Sequence, residues 1–522
     1  MTIAAFLAAW LLGTPLHAQS RLWNPDERTL VTDLSAVTAV AVTSSVVYAA
    51  TRTALAVYDR GFGSWRETVG PLEGFPEGGV TVMVASPVDD LLWMGGVGRW
   101  LTYDSFGRRI EGGTLPGVAE DAMLDARDPG SGAFFRVRGA WYFVARGGLS
   151  AVPAANAPPP GSRIGPLTYQ QVLQRVPAYD AVRLRIERDD QMRSWRLTGA
   201  AEAPVTRELY LATDGNGVFK LDPRVLSTDR LPGGLVGVAV GAVASARGQG
   251  CAATDARLAS ARHGLTCFDE SLRSFITVET LRGNVPLPWM RVRQVLVTAR
   301  AVYAATDAGV LRVPRGRGEL SLVRTGDGLP TDDVRALAEV PGGLWAGTGA
   351  GLAFIPDTGR TPEVAQVVPS SAVLSLAFDR DTLWVGTAAG LEVLMPLGAR
   401  VLQVTGLPQM REPVVAIALR GDSIVAALES RFLIRAGDRW QVADPAGASI
   451  GRLTAMAQDP AGLWVAGTLG FALYDPSRNY WSALTSPGDV PLPVADIAAT
   501  RDHVWVATDI GILRYQRRVL AP

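Results

Sequence analysis

Lysine is almost missing from this chain: Lys220 is the single one, and the remaining basic residues are arginines. Basic and acidic residues number 50 each, so no global field draws the chain to nucleic acid or to an anionic surface. Histidine occurs only at His17, His263 and His503, too sparsely for a clustered metal site. The two cysteines, Cys251 and Cys267, lack metal-ligand spacing. They suit an oxidising compartment that permits one disulfide. No apolar run approaches the roughly 20 residues that a membrane-spanning helix needs, so membrane insertion is not expected. Helical periodicity is almost absent as well.

What is abundant is turn chemistry. The chain carries 56 glycines and 34 prolines in 522 residues, which suits many short elements joined by tight turns. That length exceeds the roughly 250–300 residues at which one hydrophobic core stops growing, so several domains or a repeat array are required. At the N-terminus, apolar residues from Ala4 to Leu12 precede Gly13, Pro15 and the small Ala18. The pattern reads as a secretory signal peptide over residues 1–18, cleaved after Ala18, although its first residues carry no Lys or Arg. The expected location is periplasmic or secreted, with residues 19–522 forming the repeat array.

One unit recurs along the array: an aromatic residue, small or β-branched residues, Thr, a turn, Gly, then alternating apolar residues. Trp345-Ala-Gly-Thr-Gly-Ala-Gly351 and Trp384-Val-Gly-Thr-Ala-Ala-Gly390 are the clearest copies. Trp464 with Gly470, Trp505 with Gly511 and Tyr303 with Gly309 keep the spacing. Looser copies start at Tyr48, Trp93, Phe143 and Tyr210, and degenerate ones lie near Cys251 and Ile424. Each unit reads as a β-hairpin with Gly in its turn. Further short apolar runs on either side bring the count to four strands, which is a propeller blade. From Tyr303 to Trp505 the marks stand about 39 to 42 residues apart, a propeller period.

The fold expected is therefore all-β: a β-propeller of about eleven four-stranded blades. Rings usually hold four to eight blades, so two packed rings are expected. An apolar residue followed by Pro marks the links between units, as at Phe75-Pro76, Leu115-Pro116, Leu231-Pro232, Leu329-Pro330, Leu407-Pro408 and Leu492-Pro493. The last unit ends near Tyr515 one strand short, and the segment from Arg21 to Val31 is placed to supply that strand. One ring would then hold both chain ends, and the other would be inserted between them.

At Thr325-Gly-Asp-Gly-Leu-Pro330, Val334-Arg-Ala-Leu-Ala and Leu344-Trp-Ala-Gly-Thr-Gly-Ala-Gly-Leu352, the sequence resembles the two-component regulator propeller repeat. The match is strong from about residue 290 onward and weaker before it. The resemblance implies a periplasmic sensor-type propeller, commonly paired seven-bladed rings, here without a kinase part. Similar propellers also occur in secretion-system accessory proteins. A resemblance to streptogramin-type lyases, propellers that use histidine, implies the enzymatic alternative.

No catalytic constellation, phosphate-cradling loop, cofactor signature or metal site stands out, so no catalytic residue and no cofactor is assigned. His503 reads as a surface-turn residue, and His263 lies in a widened hairpin from Thr254 to Gly264. Acidic pairs at Asp89-Asp90, Asp189-Asp190 and Asp332-Asp333 read as turn and cap residues. Asp214-Gly-Asn-Gly217 is the nearest approach to a calcium loop and lacks further carboxylates. Cys251 and Cys267 fall on the two strands of one hairpin, at the places where another copy has Trp505 and a residue near Arg514. Facing positions there can hold a structural disulfide.

The interruption over 153–203 departs most from the repeat. Ala-Pro-Pro-Pro-Gly at 157–161 reads as a linker, and Thr168 with Gln171 has capping-box form for a short helix to Pro177. Arg183, Arg185, Arg188, Arg193 and Arg196 then alternate with apolar and acidic residues around Trp195. Arg185, Arg188 and Trp195 are the candidate ligand-binding residues, and an irregular blade or a crossover between rings is the plainer alternative. The expected function is a non-enzymatic, exported propeller that binds a protein partner or an extracellular glycan or peptide. A hydrolase or lyase acting on an extracellular polymer is the second possibility.

Overall fold

The computed structural model describes residues 28–145 and 163–516, apart from 256–261, 281–286, 288–289, 317, 358–362, 396–399, 405–410, 421–422, 438, 444–448, 459–461 and 476–479. The signal peptide, the 157–161 linker, Leu407-Pro408 and most of the widened turn before His263 fall outside the described residues.

The repeat mark folds as a hairpin for a local reason. In four copies the Thr hydroxyl reaches across the turn to the Gly carbonyl: Thr306 to Gly309 at 2.7 Å, and Thr348 to Gly351, Thr387 to Gly390 and Thr508 to Gly511 at 2.9 Å. All four Thr residues are fully buried. Gly511 sits at φ 134°, and a Cβ there would lie 2.2 Å from the carbonyl oxygen of Val31 on the adjoining strand. The aromatic mark fills the core between sheets, where Trp93, Trp464 and Trp505 are wholly buried.

Strands group into antiparallel sheets, mostly of four, and all but one of them run outward in sequence order. The inner strands of seven sheets touch in a closed cycle: Val240–Ala246, Val292–Val297, Val334–Val340, Val373–Asp379, Ala416–Arg420, Leu453–Gln458 and Val494–Ala499, which returns to the first. Polar side chains stitch neighbours together. The Gln294 side-chain oxygen accepts the Leu337 N–H at 2.6 Å, and the Asp496 carboxylate accepts the Val243 N–H at 3.0 Å. The last sheet of the cycle is completed by Arg28–Val31, which pairs with Gly511–Gln516 in the register Val31 to Ile512 and Arg28 to Tyr515. The expected closure by the N-terminal segment is thus present, and the sheets between residues 39 and 230 are inserted between the two ends of that ring.

The inserted sheets form a second run, with inner strands Leu197–Glu202, Ala39–Val42 and Val80–Ala85 in contact order, followed by the second half of Arg109–Asp125. Its end is bridged by Arg163–Ile164, which pairs with Asp125 and Leu124, and by Leu167, whose N–H donates to Ala200 at 2.7 Å. The two runs pack through mixed clusters, one joining Leu30 and Ala54 to Val490 and Leu513. The buried Arg28 guanidinium also bonds Glu73 across them.

The described residues form ten connected sheets, one of them six-stranded and taking in both the Trp93 and Phe143 units. One expectation about the array needs correction. Leu115-Pro116 does not precede a strand. It lies inside the 17-residue strand Arg109–Asp125, where pairing passes from Arg99–Thr114 to Ala119–Val137. Proline is tolerated there because no ladder pair is formed at that residue.

Cys251 lies directly opposite Cys267, just as Trp505 lies opposite Arg514, and the two sulfurs are bonded with Cα atoms 4.0 Å apart.

Candidate functional site

The interruption at 153–203 folds around two helices. In α1 (Tyr169–Arg175), Thr168 and Gln171 make the expected capping box, with the Gln171 side chain accepting the Thr168 N–H at 2.8 Å. The second helix, α2 (Asp180–Glu187), was not legible as a helix, and it carries Arg183 and Arg185. Val172, Val176, Tyr179, Val182 and Ile186 are buried against Ala200, Leu209, Leu211, Phe219 and Leu221. Burying five such side chains stabilises on the order of 10 kcal/mol relative to leaving them in water. The helices therefore cover a sheet face as a further blade would.

The three predicted binding residues separate. Arg185 and Arg188 are exposed, with Arg188 at the end of α2, and neither makes an ion pair among the described residues. Three positions apart, they share one side of the helix end. Leu184 beside them is also exposed. Trp195 is half-buried and lies flat against Gly215, where an added Cβ would come within 2.1 Å of its ring. Its indole N–H donates to Asp189 at 3.0 Å, and the Arg193 guanidinium stands 5.5 Å from the ring centre. Trp195 is thus held in the packing of the interruption and does not join the exposed arginines.

Asp189 organises that packing. Its carboxylate accepts the backbone N–H of Gln191 and Arg193 at 3.0 Å each, and the Arg193 Nε at 2.6 Å. Burial pushes this carboxyl up, yet the Arg193 and Trp195 hydrogen bonds outweigh it and hold the group below its ordinary value. Arg193 then reaches Glu279 of the seven-sheet ring at 2.9 Å. Glu279 is also bonded by Arg262, whose Nη1 donates to the Gly215 carbonyl at 3.2 Å. Burial raises the Glu279 carboxyl, but Arg262 and then Arg193 bring it below its ordinary value. The Asp214-Gly-Asn-Gly217 turn belongs to the same structure: Asn216 donates to the Ile186 and Arg188 carbonyls at 3.0 Å each. Sequence reading placed Asp189 as a turn residue and missed Glu279, because a partner 86 residues away leaves no local pattern.

The other chemical candidates are dispersed. His503 is not a surface-turn residue; it opens the strand His503–Thr508, half-buried, with its ring 5.8 Å from Trp505. Burial and the nearby Arg514 charge push its pKa down. His263 places Nε2 at 3.1 Å from the Leu287 carbonyl. Asp333 is bracketed by Arg293 at 2.8 Å and Arg335 at 2.7 Å. Among the described residues no group of three or more His, Cys, Asp or Glu is placed to hold a metal ion.

The fold defines the chain as an all-β, multi-blade β-propeller. No family model matches it, and no curated protein matches it. Among solved structures, PorZ of Porphyromonas gingivalis, described as an essential bacterial surface component of the type-IX secretion system, aligns over 94% of this chain and 87% of its own, at TM-score 0.55 and 10% identity. The extracellular domain of BT3049, a hybrid two-component system of B. thetaiotaomicron, aligns over 92% of this chain and 68% of its own, at TM-score 0.45 and 13% identity. The extracellular domain of the one-component system BT4673 from the same organism aligns over 91% of this chain, at TM-score 0.44 and 12% identity. The chain spans 64% of the length of that domain. At these identities the likeness is one of fold alone.

Proposed function

We propose that this chain is an exported, non-enzymatic propeller, periplasmic or secreted, that binds a protein partner or an extracellular glycan or peptide. Its place would be that of a sensor-like or envelope accessory module. The observation that carries this reading is the pair Arg185 and Arg188. Two guanidinium groups without carboxylate partners among the described residues stand at the end of α2, whose opposite face is fixed by the buried Val182 and Ile186. A rigid element presenting free arginines suits recognition of carboxylates on a peptide or an acidic glycan. We also propose that residues 28–31 and 240–516 form one propeller unit, with the second unit inserted between them.

The test is a pull-down of envelope extract and of extracellular glycans on the immobilised chain, with Arg185→Glu/Arg188→Glu as the comparison. Deleting the whole interruption is unsuitable, since it would uncover Leu209, Leu211 and Phe219. A species retained by the parent and lost by the charge reversal supports the reading. Equal retention by both removes α2 as the site, and a glycan recovered in cleaved form moves the enzymatic alternative ahead.

A further inference from the structure

Three neighbouring sheets of the inserted run each raise an apolar side chain at the same place, the turn into the outermost strand of the hairpin. Phe62 is 87% exposed between Leu55–Asp59 and Ser64–Val69. Phe106 is 96% exposed between Leu92–Asp104 and Arg109–Asp125, and Val225 is 71% exposed between Val218–Asp222 and Ser227–Arg230. Equivalent positions in adjacent sheets bring the tips onto one rim. Direct contacts join them: Arg60 reaches Tyr210 of the next sheet at 3.0 Å, and Arg66 reaches the Ser105 carbonyl at 2.6 Å.

The turns are held firmly. Asp59 accepts the N–H of Gly61 at 2.8 Å and of Phe62 at 2.9 Å. Asp104 accepts the Phe106 N–H at 2.9 Å, and Asp222 accepts the Arg224 N–H at 2.9 Å. Each carboxylate thus turns inward to cap its own turn and leaves the apolar residue at the summit.

Two ion pairs at the rim place the arginine outside its carboxylate. In the Arg224–Asp222 pair the arginine side chain is 73% exposed and the carboxylate 19%. In the Arg108–Glu67 pair the values are 43% and 10%. Glu67 also accepts the Tyr103 hydroxyl at 2.7 Å. In both pairs the outer charge is positive, and Arg109, 76% exposed, stands beside Glu111, 54% exposed.

We propose that this rim docks onto the headgroup region of an anionic lipid bilayer, with Phe62, Phe106 and Val225 entering the interface and Arg108, Arg109 and Arg224 meeting lipid phosphates. Protruding tips on a rim fit a continuous soft surface better than a keyed protein pocket. Transfer of apolar side chains out of water drives the contact, and the guanidinium groups add the preference for anionic lipid. Exposed ion pairs hold arginine weakly, so exchange of Asp222 for a phosphate costs little. Docking at headgroup depth needs no spanning helix, and among the described residues no helix is long and apolar enough to cross a membrane.

The experiment is co-sedimentation of the full chain with phosphatidylglycerol-containing vesicles and with vesicles of phosphatidylcholine alone. Phe62→Ser/Phe106→Ser and Arg109→Gln/Arg224→Gln are compared with the parent. The phenylalanine variant is expected to lose about 100-fold in vesicle partitioning. The arginine variant is expected to lose about 10-fold on the anionic vesicles only. Thermal melts of both variants should match the parent, because the altered side chains are exposed. Binding that survives the phenylalanine change overturns the proposal, as does a parent chain that ignores both vesicle types. An envelope protein captured by the parent and lost only with the phenylalanines, without vesicle binding, assigns the rim to a protein instead. Since Arg185 and Arg188 are untouched, failure here leaves the proposed function standing.

Discussion

Arg193 of the interruption and Glu279 of the seven-sheet ring meet at 2.9 Å, and Glu279 is shared with Arg262. The contact fixes the end of a helical segment to a different part of the propeller. Because Glu279 is the more buried member and has two arginine partners, the two residues should not be equivalent when removed. Glu279→Ala leaves Arg262 without its carboxylate and should cost about 3–5 kcal/mol. Arg193→Ala leaves Glu279 still bonded to Arg262 and should cost about 1–2 kcal/mol. Urea midpoints of the two variants decide the order.

The same carboxylates predict the acid limb of stability. Asp189 and Glu279 are held below their ordinary values when folded. Their contribution is fully present above the unfolded carboxylate range and is lost as pH falls through the lower folded values. A melting series downward from pH about 5 should show the Glu279→Ala variant losing less than the parent. Parallel curves would count against the assignment.

Asp496 acts in the opposite direction. It lies deep in the ring although part of the residue stays solvent-accessible, and burial raises its carboxyl to about 7 against the hydrogen bonds from Val243 and Ile497. A carboxyl raised on folding binds more protons in the folded state. Its presence therefore lowers stability as pH climbs from about 4 to about 7, after which the effect levels off. In Asp496→Asn this slope should vanish, so the melting temperature of the variant should rise relative to the parent between those limits.

Closure of the ring can be tested at one glycine. Gly511→Ala places a Cβ 2.2 Å from the Val31 carbonyl at a φ of 134°. The expected loss is about 2–4 kcal/mol, with weakened protection of the Leu513 and Tyr515 amides in hydrogen exchange. Gly233→Ala, where nothing lies within 4 Å, is the quiet comparison.

What could be read beforehand was local. The aromatic, Thr and Gly of each unit are visible because Thr508 and its counterparts close their own turns within three residues. The closing strand was legible because the last unit lacked a partner for Gly511–Gln516. The pairing of Cys251 with Cys267 followed from their places in the hairpin. Helix α2 was hidden because only Val182 and Ile186 mark its buried side, while the arginines between them suggest alternation. The placing of Trp195 against Gly215, and of Arg193 on Glu279, depends on segments far apart in sequence that only the assembled fold brings together. Arg185 and Arg188, read in the sequence as candidate ligand-binding residues of an alternating segment, lie at the end of helix α2 and are exposed.

The sheet that joins Arg28–Val31 to Gly511–Gln516 has a consequence for how the chain matures. Its first strand leaves the ribosome long before its partner exists, so the ring stays open at one edge until Gly511–Gln516 has been made. An unpaired edge is a template for wrong partners. The entropy of joining distant ends rises only slowly with the length between them, so late closure remains affordable. A chain cut short before Gly511 cannot close at all. Proteolytic sensitivity of the open edge would then separate open rings from closed ones, giving the ring a built-in test of its own closure.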